Sequence, residues 1–163
     1  MGDYKEMSRA VNVKSLSIIQ SVRSIIASME QEFRSIIGGT PIVEATTKGK
    51  HFEFQIATYG AGNYRQVAQF SLAEMPGCCG ILVFFHASIA SDFRRKGLGS
   101  LLLDVRERAA VLAGYSTTQA TALKKNEAEL TILNKAGWLS FMVFTNERTG
   151  NEVVILTKSL NRT

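Results

Sequence analysis

The chain has 163 residues, 45% of them hydrophobic and 20% charged, which is enough apolar material for one globular domain with a real core. Its net charge of +5 and pI near 9.4 favour an anionic ligand or a nucleic acid as partner, without choosing between them. No apolar run approaches the roughly 20 residues that a membrane-spanning helix needs, so no membrane partner is expected.

The first ten residues, MGDYKEMSRA, lack the charged-then-apolar layout of a signal peptide. Gly2 is followed by Glu6 where a myristoylation pattern needs Ser or Thr, so a cytoplasmic location is expected. Cys78 and Cys79 are adjacent and the chain has two histidines, which gives neither a disulfide framework nor a zinc pattern. The cysteines read as two small residues entering a strand, and no metal is expected.

In chain order, residues 12–37 carry Ile18, Ile19, Val22, Ile25, Ile26, Met29 and Phe33 at three- and four-residue steps, the period of a core-facing helix. Gly38, Gly39 and Pro41 stop it. HFEFQIATY (51–59) and YRQVAQFSLAE (64–74) alternate like strands about the turn GAGN and predict a hairpin. Residues 78–90 predict a third strand, continuously apolar from Ile81 to Phe85 and so expected to be buried on both faces.

Residues 97–113 predict a second helix whose buried stripe is Leu98, Leu101, Leu102, Val105, Ala109 and Leu112. A short strand (116–123) and a short helix (126–137) follow, the helix capped by Asn126 and ended by Gly137. Strands at 139–144 and 152–158 close the chain as a hairpin. With no linker or repeat, this order predicts one α/β or α+β domain over residues 1–163, with a mixed sheet flanked by helices.

The stretch DFRRKGLGSLLLD (92–104) gathers Arg94, Arg95 and Lys96 at a helix start that already carries free N–H groups and a partial positive charge. Gly97 and Gly99 leave room for a ligand to approach the backbone, so the stretch reads as a phosphate cradle. It is not a Walker loop, and Leu102 stands where a dinucleotide fingerprint has its third glycine.

Arg94-x-x-Gly97-x-Gly99, between a buried strand and a helix, resembles the acetyl-CoA-binding motif of the GCN5-related N-acetyltransferase (GNAT) superfamily. NEAELTILNKAGW (126–138) is similar to that family's second signature, with Asn126, Gly137 and Trp138 on its Asn, Gly and aromatic positions. The likeness extends over about residues 12–158, and the closing hairpin is similar to small phage-carried members. It implies a splayed-strand cleft and acetyl-CoA as co-substrate. The diphosphate would lie on the turn of Arg94, Arg95, Lys96, Gly97, Leu98, Gly99 and Ser100. Ile89 and Ala90 would bond the pantetheine arm, and Asn126 would also face the coenzyme.

The resemblance implies acetyl transfer to a primary amine by direct attack, with two departures. Leu133 stands where the family often has a tyrosine that protonates the leaving thiolate, and Glu129 stands at its alanine position. His86, on the strand lining the cleft, is the first candidate base, and Glu74 the second. Tyr115 and Ser140 are candidates for the missing acid, while Trp138 reads as a core aromatic. Two other functions fit the same residues: a GNAT-fold binding protein with weak or no turnover, and an acetyltransferase acting on aminoacyl-tRNA, for which RNA would be the partner. A homodimer through the final hairpin is the expected assembly, if any.

Overall fold

In the computed structural model the described residues are 17–160; the N-terminal decapeptide and positions 12–16 of the first predicted helix lie outside them. Helix α1 (17–28) and helix α2 (Glu30–Ile37) follow each other with a break at Met29, whose N–H still bonds to the carbonyls of Ile25 and Ile26. Ile18, Val22, Ile26, Phe33 and Ile37 are buried, so the predicted stripe does face the core. Gly38, at φ 74°, ends α2 in the left-handed conformation that favours glycine.

Seven strands follow: β1 (Ile42–Lys48), β2 (His51–Gly60), β3 (Asn63–Glu74), β4 (Ile81–Ile89), β5 (Thr117–Leu123), β6 (Leu139–Thr145) and β7 (Glu152–Ser159). Helix α3 (Leu98–Leu112) crosses from β4 to β5, and α4 (Glu127–Lys135) lies between β5 and β6. The sheet order is β1-β2-β3-β4-β5-β7-β6. Every pair is antiparallel except β4–β5, which is parallel because α3 carries the chain back across the sheet.

β1 is a strand beyond those the sequence pattern predicts. It pairs with β2 from Ile42–Ala57 to Lys48–His51 about the turn at Gly49 and Lys50. As an edge strand it buries little, which leaves no clean alternation to read. Phe52, Phe54, Phe70, Leu72, Leu82 and Phe84 form one buried sheet face, and α3 packs Leu98, Leu102 and Val105 into the same core.

Three expectations change. β4 is buried on one face only: Leu82 and Phe84 are covered, while Ile81, Val83 and Phe85 are half-buried. Cys78 and Cys79 sit in the turn before β4, with Cys79 exposed, because Gly77 and Gly80 at positive φ hold the chain in a tight loop there. Leu112 is 60% exposed, since the stripe of α3 runs through Leu102, Val105, Arg106 and Ala109 instead, with Leu101 half-buried. No helix among the described residues is long and apolar enough to cross a membrane.

Candidate active site

β4 and β5 pair over four residues, from Ile81–Thr117 to Phe84–Ala120. Beyond Phe84 the two strands part, although β4 continues to Ile89 and β5 to Leu123. A β-bulge drives the parting. Ser71 pairs with Phe85 but Gln69 pairs with Ser88, so β4 holds an extra residue there, and His86 takes it up at φ 53°. The opening is a cleft of about 490 Å³ walled by β4, by the first turns of α3 and by α4.

Along β4 the backbone groups alternate in direction. The N–H of Ala90 bonds to the Val67 carbonyl of β3 at 2.9 Å, so Ala90 faces away from the gap, while Ala87 and Ile89 face into it. The Ile89 carbonyl accepts a bond from Arg94 Nε at 2.8 Å, which folds the Arg94 side chain along the rim of the cleft. Ala90, expected to serve an arm in the cleft, therefore does not have its N–H free.

The chain turns from β4 into α3 through residues at positive φ: Arg95 at 60° and Gly97 at 84°. No side chain caps α3, and its first ladder bond runs from Leu101 N–H to Gly97 carbonyl at 3.1 Å. The N–H groups of Leu98, Gly99 and Ser100 thus lack a partner within the helix. Arg94, Arg95, Lys96 and Ser100 are exposed around this turn, while the Leu98 side chain is buried and can offer only its backbone.

The two glycines do different things. A Cβ on Gly97 would meet nothing within 4 Å, so this glycine serves the left-handed turn and leaves open space above it. A Cβ on Gly99 would lie 2.9 Å from Ile132 Cδ1 and 3.6 Å from Ile89 Cδ1, so Gly99 lets α4 and β4 close on α3.

Asn126 caps α4: its side chain accepts from Glu129 N–H at 3.3 Å and donates to Glu129 Oε2 at 2.9 Å, a reciprocal box at the cleft wall. Glu129 lines the cleft, and burial raises its carboxyl against the opposing pull of Arg106 and Asn126. Leu133 is buried on the same wall. Trp138 is buried and donates to Glu107 Oε1 at 2.6 Å, while Lys158 holds Glu107 Oε2 at 2.6 Å, which pins the exit of α4 to α3 and β7.

The acid–base candidates lie elsewhere. His86 is exposed on the bulge, its ring 4.8 Å from that of Phe85, and is absent from the cleft walls, because the left-handed backbone breaks the alternation that would aim it inward. Glu74 is buried at the end of β3, bonded by Lys50 at 2.9 Å and by Tyr115 at 3.1 Å. Tyr115 is itself buried, and Ser140 is exposed on β6. Pattern reading missed Arg106, a buried cation lining the cleft; the signal was a charge standing in the apolar stripe of α3. Among the described residues no group of His, Cys, Asp and Glu is arranged to hold a metal ion.

No protein-family model matches this chain, and no curated protein does. Solved structures do. An acetyltransferase of the GNAT family from Streptococcus pneumoniae superposes with a TM-score of 0.57 at 17% identity, covering 71% of this chain and 70% of that one. The chain has the GNAT fold. The ribosomal-protein-S18-alanine N-acetyltransferase of Escherichia coli superposes with a TM-score of 0.58 at 15% identity, over 72% of this chain and 74% of that one. The spermidine N-acetyltransferase of Vibrio cholerae, solved with CoA and spermine, gives 0.58 at 11% identity, over 68% of this chain and 66% of that one. In the GNAT fold of this chain the parted strands, the bulge and the uncapped start of α3 converge on one cleft.

Proposed function

We propose that the cleft binds an acyl-CoA, acetyl-CoA in the simplest case, and that the chain transfers its acyl group to a primary amine. One observation carries this reading: the gap between β4 and β5 opens directly onto the uncapped, cation-ringed start of α3. The turn of Arg95 to Ser100 offers backbone N–H groups and full positive charges to a diphosphate. Ala87 and Ile89 offer strand backbone to the amides of the arm. Similarity to acetyltransferases, one of them solved with CoA and a polyamine, supports the same reading.

In the step itself the lone pair of a neutral amine attacks the thioester carbonyl and forms the C–N bond. The C–S bond breaks with its electron pair on sulfur, and the amine nitrogen gives one proton to water. We assign no part in this to His86, Glu74, Tyr115 or Ser140, which stand outside the cleft. Leu133 cannot protonate the leaving sulfur, but a thiol of pKa about 8.5 departs as thiolate near neutrality at modest cost. Calorimetry with CoA tests the site, and thiol release with a panel of primary amines tests the reaction. Absence of CoA binding would sink the reading; binding without release to any amine would favour a binding protein.

The assembly we propose is a homodimer through β6. All seven of its side chains are exposed, with Leu139 and Phe141 each at 70%, it carries no charge, and among the described residues it forms an edge of the sheet. Edge strands are ordinarily blunted by charge or proline. A second β6 laid antiparallel about a two-fold axis would cover both its backbone and its apolar side chains.

A further inference from the structure

Arg106 sits where the period of α3 calls for an apolar residue, one turn beyond Leu102 and two beyond Leu98, both buried. It is only 8% exposed, yet no ion pair joins it to a carboxylate among the described residues. Its Nε donates to the Leu102 carbonyl at 3.2 Å, which turns the side chain back toward the start of α3. The guanidinium carbon stands 5.6 Å from the ring centre of Phe70 and 5.2 Å from that of Phe84. Arg106, Phe70 and Phe84 all line the cleft.

The nearby carboxylates are committed elsewhere. Glu107 accepts from Trp138 and Lys158. Glu129, across the cleft, is held by Asn126, and its charge reaches Arg106 without a direct bond. Burial lowers the guanidinium to about 10 against the opposing charges of Glu129 and Glu107, so it stays charged near neutral pH with no carboxylate among the described residues bonded to it directly. A guanidinium presents a planar fork of donors that matches a carboxylate.

We propose that Arg106 binds a carboxylate inside the cleft, and that this carboxylate ends the acyl group of the thioester, as in a succinyl-type donor. The inference rests on the acyl-CoA reading of the cleft. Phe70, Phe84, Leu102 and Leu133 wall the space around the cation, which suits a short carbon chain ending in one small anion. The acyl group enters this space with the arm, whereas the acceptor must reach the thioester carbonyl from outside.

Calorimetric titration of the whole chain with CoA, acetyl-CoA and succinyl-CoA, for the natural protein, Arg106→Met and Arg106→Lys, tests it. Succinyl-CoA should bind the natural protein about tenfold or more tighter than acetyl-CoA, the scale of one charge-assisted bond. That ratio should fall to about one in Arg106→Met and survive in part in Arg106→Lys. Equal binding of the two thioesters by the natural protein, which requires no variant to fold, would overturn the proposal. So would a ratio retained in Arg106→Met, or an equal weakening of all three ligands, which would give Arg106 to the arm they share. If CoA itself fails to bind the natural protein, the acyl-CoA reading falls and this inference with it; if CoA binds without thioester preference, this inference alone falls. A parallel arm compares cadaverine with lysine as acceptors of acetyl-CoA. A KM preference for lysine that disappears in Arg106→Met would move the carboxylate to the acceptor and overturn the acyl assignment.

Discussion

Tyr115 Oη donates to Glu74 Oε2 at 3.1 Å, joining the approach to β5 with the end of β3 across the intervening β4. Lys50 Nζ takes Glu74 Oε1 at 2.9 Å, so the buried carboxylate is bonded from two directions. This is a tie within the sheet, far from acid–base work. Tyr115→Phe withdraws one donor from a buried charge and should cost about 1–3 kcal/mol. Urea unfolding reads the loss. Thiol release per folded molecule should stay as in the natural chain, and a large fall would return the pair to the mechanism.

Stability at alkaline pH should show two opposed slopes. Burial first, and then the charge of Glu74, raise the Tyr115 hydroxyl above its ordinary value near 10. The folded state then holds more protons above about pH 10, so stability falls as pH rises through that window. Lys50, raised by its bond to Glu74, adds to the fall. Arg106 acts the other way: lowered from 12.5 to about 10, it leaves the unfolded chain with more protons between those values, and stability rises. Tyr115→Phe should therefore weaken the fall. Arg106→Met should steepen the net fall and raise stability at neutral pH by about 1–4 kcal/mol, the range for replacing buried ions by apolar volume. Thermal melts from pH 7 to 11 check both signs.

At Gly97 the backbone has φ 84° and a Cβ would touch nothing. Gly97→Ala should cost about 1–2 kcal/mol through backbone strain alone. CoA affinity should fall as well, because relief of that strain reorients the N–H groups that follow. Calorimetry showing unchanged affinity in a destabilised Gly97→Ala would remove the turn from the coenzyme site.

If β6 pairs with its copy, lysines on it should separate the copies. Phe141→Lys combined with Val143→Lys should halve the mass in sedimentation at micromolar concentration while leaving the far-UV spectrum as it was. A natural chain that sediments as a monomer would refute the assembly.

The sequence made the strand–turn–helix at 89–104 legible because glycine, charge and helix period coincide there. It also made legible the capping of α4 by Asn126 and the burial of Trp138. β1 was not legible: Ile42, Val43 and Ala45 are only half-buried on an edge, so burial imposes no alternation on the strand. His86 was misplaced because a pattern cannot display a bulge; one inserted residue reverses every later side chain, and nothing local marks where it falls. Gly97 and Gly99 looked alike, but the neighbours that separate their roles, Ile89 and Ile132, come from different elements. Arg106 was visible as a charge in an apolar stripe, yet its meaning depends on Phe70 and Phe84, which lie in β3 and β4.

The short parallel seam has a further consequence. β1 to β4 form one antiparallel meander and β5, β7 and β6 a second antiparallel set, and between strands the two meet through only the four pairs from Ile81–Thr117 to Phe84–Ala120. β2 and β3, by comparison, share ten. Partial opening of the native state should therefore split the sheet here, with each half keeping its own hydrogen bonds. Amide exchange would show Phe84 and Gln119, whose N–H groups face across the seam, losing protection before Phe54 or Phe70 does. A ligand lying between β4 and β5 would bridge the two halves, slow exchange along the whole seam, and turn two weakly joined units into one cooperative body.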